Sequence, residues 1–282
     1  MRSPEKDEST VEGEYRVIES ELPRREPSRG NNRRNASLAG IGALLLFLFT
    51  KGKAILFTLL SLLKYSKFLT SGLSMFVMIW TYSWHYGWSY ALGIVLMIAI
   101  HETGHLVFAK AIGMPVSMPL FIPFVGALIS MKQAPKDAWQ EAVVALGGPL
   151  FGLVAGLAAL FWGLANGSQL VMAVAYFSFF ITLFNMIPVS PLDGGRIVTA
   201  LSPLIWAVGL VLMAVGAWYT FSPILIIVLL LGIYRAKQTW NDRYDPERAL
   251  YYRVKPWQRL TVGVSYGLIA GISAWGVYLF VG

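Results

Sequence analysis

The chain has no cysteine, so a disulfide framework and a cysteine-ligated zinc site are both excluded. It is poor in charge as well. Charged residues make up 13% of the 282 positions, about half the share of a soluble domain. Histidine is scarcer still, with three in the whole chain. What is abundant is apolar: 56% of residues, ten of them Trp, with a mean hydropathy of +0.59. A soluble fold of this size could not bury that much apolar surface, so a lipid bilayer is the expected solvent. The net charge of +8 would also suit a nucleic-acid binder. Here, however, the bases lie in the tails and in short connections between apolar runs. That is the distribution of Lys and Arg that hold loops on the cytoplasmic side of a membrane. No nucleic-acid partner is expected.

Gaps in the charge pattern divide the chain. Residues 1–36 hold eight acids and eight bases with Pro, Ser and Asn, and read as a disordered cytoplasmic tail. No apolar core sits where a cleaved signal peptide would need one. Within the segment 37–67, the chain is apolar as far as Leu63 but interrupted by Lys51 and Lys53. Each half is short of the roughly 20 residues a crossing needs, so interfacial or membrane-associated helix is expected. From residue 68 to 234 the body is almost uncharged. No Lys or Arg lies between Lys67 and Lys110, where two crossings fit around a turn at 85–90. Further crossings are expected at 139–165, 170–190, 204–220 and 222–234. Residues 235–259 form a basic loop, and a last crossing covers 260–282. The expected fold is an all-α polytopic membrane protein, a helical bundle of about six to eight crossings. One stretch departs from helix. Pro115, Pro119 and Pro123 are too closely spaced for a helix, so residues 112–131 should form a short re-entrant extended segment. Irregular backbone at membrane depth is tolerated only where it is buried in protein or faces a water-filled cavity.

Two of the three histidines stand in His101-Glu102-Thr103-Gly104-His105. Four residues apart on a helix, His101 and His105 lie one turn apart on one face and can share a zinc ion. Glu102 is placed to take a proton from the water that zinc activates. An ionisable trio in an otherwise uncharged crossing is costly and by default functional. His85, in the turn, is given no role.

Catalytic zinc commonly has three protein ligands and an open position. The body from residue 68 to 234 holds four acids: Glu102, Asp137, Glu141 and Asp193. Asp137 and Glu141 sit beside Lys136 and read as a solvated helix start. Asp193 follows Asn185-Met-Ile-Pro188-Val-Ser-Pro191-Leu and precedes Gly194-Gly195, where the helix should break. Taken alone, this could equally be an ordinary Asp-Gly turn at a helix end. A two-histidine site that needs a partner favours Asp193 as the third ligand.

The HETGH sequence on one crossing and N-x-x-P-x-x-P-L-D-G-G on a later one resemble the site-2 protease family of intramembrane zinc metalloproteases, over about residues 68–235. The resemblance implies one zinc ion held by His101, His105 and Asp193, with Glu102 as catalytic base. It also implies a role for Asn185 in positioning substrate or the reacting carbonyl. Gly147-Gly148-Pro149 is similar to the family's Gly-Pro crossing. The substrate is then a transmembrane segment of another protein, within the lipid bilayer. The positive-inside pattern puts the site near the cytoplasmic face, in what is expected to be a bacterial cell membrane. The rival reading is a non-catalytic zinc-binding membrane protein or a metal-ion transporter that keeps the same fold. A transporter would more often place its ligands near the midplane between repeated halves, and no repeat is visible. A soluble zincin is excluded by composition.

Overall fold

The computed structural model describes residues 67–282, apart from 125, 130–132 and 243–244, together with Thr58. The expected tail at 1–36 and nearly all of the expected interfacial helices at 37–67 lie outside the described residues.

The described chain is helical apart from one two-stranded hairpin. α1 (Lys67–Tyr86) and α2 (Trp88–Ala111) are joined at Gly87, whose φ of 77° is a conformation that favours glycine. After α2 come β1 (Leu120–Ile122) and β2 (Gly126–Leu128), in the stretch expected to be extended. They pair antiparallel, with Phe121 opposite Ala127. α3 (Ala138–Asn166) follows. Asp137 caps its start by accepting from Gln140 N at 2.8 Å. At 29 residues it is about 43 Å long, enough to cross the hydrocarbon core with turns to spare. Gly167 in the left-handed region ends it, and Ser168 caps α4 (Gln169–Asn185). The chain then breaks over residues 186–192 before the short helix α5 (Asp193–Val198). α6 (Pro203–Thr220) and α7 (Pro223–Asp242) form a second helical pair. α8 (Pro246–Ala249), a 3₁₀ turn (Leu250–Tyr252) and α9 (Pro256–Val281) complete the described chain.

Seven of these helices, among the described residues, have 17 residues or more, within the expected six to eight. Four of them, α2, α3, α7 and α9, are long and apolar enough to cross a membrane. Their outward faces carry large exposed apolar side chains such as Leu92, Phe161, Leu230 and Leu268, as lipid-facing helices do. The chain is an integral membrane protein.

Two boundaries differ from expectation. α4 stops at Asn185 rather than running to 190. Pro188 has no N–H for the carbonyl of residue 184, and it disfavours helical backbone at residue 187. α7 continues about two turns past Arg235 into the stretch expected to be loop. Charge marks where the chain leaves lipid, but helical hydrogen bonds are local and continue into water.

The core gathers on α3 and α4. Leu146, Leu153, Leu160, Val174, Ala175 and Phe179 are buried together with Val262 and Ile269 of α9. A smaller cluster of Met78, Ile94, Val95, Ile98 and Phe121 fastens the β-hairpin to α1 and α2. Two hydroxyls on α1 hold the hairpin's backbone: Phe121 N donates to Ser74 Oγ at 3.1 Å, and Phe124 N to Tyr82 Oη at 3.1 Å.

Candidate metal centre

The site forms where α2 and α3 cross. A Cβ on Gly104 would lie 2.1 Å from the Gly147 carbonyl oxygen, and one on Gly147 would lie 2.5 Å from that of Gly104. The two backbones therefore touch at this point. Small residues allow this kind of contact between helices in lipid. His101 and His105 flank Gly104 on α2, so the crossing presses both imidazoles against α3, and both are buried. Next along α3 is Gly148. A Cβ there would fall 2.2 Å from Nε2 of His105 and 2.6 Å from Nε2 of His101. The space that a side chain would fill is where the two ring nitrogens point.

Asp193 reaches the same spot from α5. Its Oδ2 lies 3.0 Å from Nε2 of His101 and 3.2 Å from Nε2 of His105. The break between α4 and α5 delivers it there. The chain folds back so tightly that a Cβ on Gly194 would meet the Met186 carbonyl oxygen at 2.3 Å.

These donors fit a zinc ion. His105 Nδ1 lies 2.8 Å from the Val144 carbonyl oxygen, which can only accept, and 3.3 Å from the Gly148 amide nitrogen; the shorter contact assigns the proton to Nδ1. In the neutral ring Nε2 is then a lone pair, and it faces a carboxylate oxygen. Two lone pairs at 3.2 Å call for a cation or a proton between them. Zinc ligands at about 2.0–2.1 Å in tetrahedral array are about 3.3 Å apart, close to the two separations seen. If His105 ligates a metal, the carbonyl of Val144 is the outer partner that would fix the imidazole's tautomer and orientation.

Glu102 lies beside the pair. Its carboxylate and the two imidazoles offer ligand atoms within 4.8 Å of one another. Asp193 is closer to both rings, which leaves Glu102 adjacent to the centre as a base would be. The structure thus brings together His101, Glu102, His105 and Asp193. Asn185 stands at the last turn of α4, and its amide nitrogen donates back to the Ile181 carbonyl at 3.1 Å. His85 is exposed at the end of α1, edge-on to Phe124.

The model of peptidase family M50 matches residues 89–168 and 165–231, half of the chain, and includes all four residues of the cluster. The chain belongs to peptidase family M50. The resemblance to the site-2 protease family is borne out. Among curated relatives, a zinc metalloprotease of Methanocaldococcus jannaschii is 32% identical over 106 residues, covering 36% of this chain and 30% of that protein. A Synechocystis sp. protein that carries a zinc metalloprotease name is 31% identical over 118 residues, covering 38% of this chain and 29% of that protein. The chain thus spans under a third of the length of either relative. A solved site-2 protease from Methanocaldococcus jannaschii aligns at 22% identity with a TM-score of 0.41, over 66% of this chain and 89% of the other.

Three parts of this M50 centre go beyond the motif residues. The Val144 carbonyl and the Gly148 cradle both come from α3. The Gly-Gly-Pro sequence signals the cradle, but nothing in a sequence marks a particular carbonyl. The third part is Glu141, expected to be a solvated residue at a helix start. It instead pairs with Arg196, Nε to Oε1 at 3.5 Å, and accepts from the Tyr251 hydroxyl at 2.7 Å.

Proposed function

We propose that this chain is an intramembrane zinc metalloendopeptidase that hydrolyses peptide bonds in transmembrane segments of other membrane proteins. The observation that carries the reading is the convergence of two imidazole nitrogens and one carboxylate oxygen, from two separate helices, beside Glu102. In this reading His101, His105 and Asp193 hold one zinc ion. When bound, zinc supplies Lewis acidity, polarising a scissile carbonyl and making hydroxide available near neutral pH.

The chain's own residues do the rest. Glu102 takes the proton from the attacking water and later gives it to the leaving amine. Val144 keeps His105 in the tautomer that leaves Nε2 unprotonated. Asn185 would steady the reacting carbonyl or the strand that carries it. A helical substrate must unwind first, because its carbonyls are hydrogen-bonded and shielded. The β1–β2 hairpin, packed within one helical turn of His101 through Ile98, is placed to receive the unwound strand by β-addition. Lys110, Arg196 and the basic stretch from Arg235 support a site toward the cytoplasmic face, where water would enter.

The test is Glu102→Gln in cells and after purification. Proteolysis of membrane substrates should fall by about 10²–10⁴-fold, the usual share of a general base, while zinc measured by mass spectrometry stays at the wild-type level. Equal cleavage by the variant would overturn the mechanism. Zinc bound without any cleavage by wild type would favour the non-catalytic alternative, and zinc flux in vesicles would favour a transporter.

A further inference from the structure

The polar segment between α7 and α9 reaches the metal centre through a run of three contacts. The Tyr251 hydroxyl, in the 3₁₀ turn, donates to Oε2 of Glu141 at 2.7 Å. The other oxygen of that carboxylate, Oε1, lies 3.5 Å from Nε of Arg196. Nη1 of the same guanidinium lies 4.0 Å from Oδ1 of Asp193. That oxygen is the one Asp193 does not turn toward the imidazoles. Glu141, Arg196 and Tyr251 together line one cavity of about 560 Å³.

Each link has a physical reason. A carboxylate that offers one oxygen to a metal is oriented in part by what its other oxygen meets. Arg196 is three residues along α5 from Asp193 and sets its positive charge at ion-pair distance from that second oxygen. Its side chain is long and flexible, so it needs an anchor of its own. Glu141 on α3 provides one, at a site where both side chains are about four-fifths covered. Glu141 in turn accepts the Tyr251 hydroxyl. Burial, and then the nearby Glu141 carboxylate, hold the Tyr251 phenol above its usual range, so it stays a protonated donor. Tyr251 lies 110 residues from Glu141 and beyond residue 231, where the family match ends.

We propose that Tyr251 is a positioning residue: acting through Glu141 and Arg196, it holds the Asp193 carboxylate in its ligating orientation, so that a segment outside the matched family core completes the metal centre. The proposal rests on the reading of His101, His105 and Asp193 as zinc ligands. Outer partners of metal ligands carry about 10–100-fold in metal affinity, and Tyr251 acts at two removes, so its effect is smaller.

The experiment is chelator competition on the purified full-length protein, read as zinc retained. Tyr251→Phe, which removes one oxygen, should lose zinc at about 3–10-fold lower chelator concentration than wild type, and Glu141→Gln at about 10-fold or more below it. The double variant should behave like Glu141→Gln alone, because both changes break one path. Thermal melting of the zinc-free proteins should not separate Tyr251→Phe from wild type. Unchanged zinc retention in Tyr251→Phe would overturn the proposal. So would additive effects in the double variant, or an equal loss of stability in the zinc-free state. Wild type that holds no zinc would instead sink the ligand assignment on which the proposal stands.

Discussion

The α2–α3 crossing and the α6–α7 pair are both built from apolar helices, yet the protein covers them to very different extents. In the most apolar stretch of α3, 61% of the residues are buried within the protein, and in that of α7 only 6% are. At the crossing, the Gly104 and Gly147 backbones touch, with no room for a methyl group on either. On α6, a methyl on Gly216 would find its nearest neighbour at a comfortable 3.7 Å, the tip of Leu225. Hydropathy alone does not separate the two regions. The position of chemistry does: every residue of the metal cluster borders the tight crossing, and the outward faces of α6 and of α7 up to Tyr234 are dominated by large apolar side chains suited to lipid.

Alanine in place of glycine tests this contrast at Gly104 and Gly216; elsewhere on α6 and α7, Gly209 and Gly232 lie against Pro188 and Val189 and have no room for a methyl either. The largest effect is expected for Gly148→Ala. Its Cβ would lie 2.2 Å from His105 Nε2, so zinc affinity should fall by about 100-fold or more, measured by chelator competition, with helix content by circular dichroism retained. Gly104→Ala comes next. Its methyl meets backbone, which cannot swing aside, so the helices must separate, costing about 1–3 kcal/mol or more in thermal unfolding and loosening zinc as well. Asp137→Ala removes the cap at the start of α3 and should cost about 1 kcal/mol without altering zinc content. Gly216→Ala should be neutral or stabilising by up to about 1 kcal/mol, since alanine is the better helix former and the space is open. A Gly104→Ala protein with wild-type stability and zinc content would break the comparison.

Much of this was legible in the sequence, for identifiable reasons. Charge is so costly in lipid that its absence marked most crossings to within a few residues, as with α3, expected at 139–165 and found at Ala138–Asn166. The same cost made Asp193 conspicuous among four acids, and the structure sets it against both imidazoles. Legibility failed where the cause is not local. Glu141 stands next to Lys136 and Asp137 in the chain, and nothing there announces a tyrosine 110 residues away. The end of α7 was misplaced because polarity reports depth in the membrane, whereas helix termination depends on caps and prolines. Gly104 and Gly147 each stand in a motif visible in the sequence, but nothing in either motif says that the two backbones touch.

The hairpin has a consequence for how a substrate would be measured out. Because Phe121 gives its N–H to Ser74, it faces Ala127 as a pair that exchanges no main-chain bonds, and the edge of β1 is turned toward α1. By the same alternation the amide and carbonyl of Ala127 point away from β1. A strand added to β2 would therefore be gripped by two main-chain bonds at a single residue, Ala127. The hairpin would act as a ruler with one mark, so cleavage would fall at a set distance from whichever substrate residue seats there, largely indifferent to that residue's side chain.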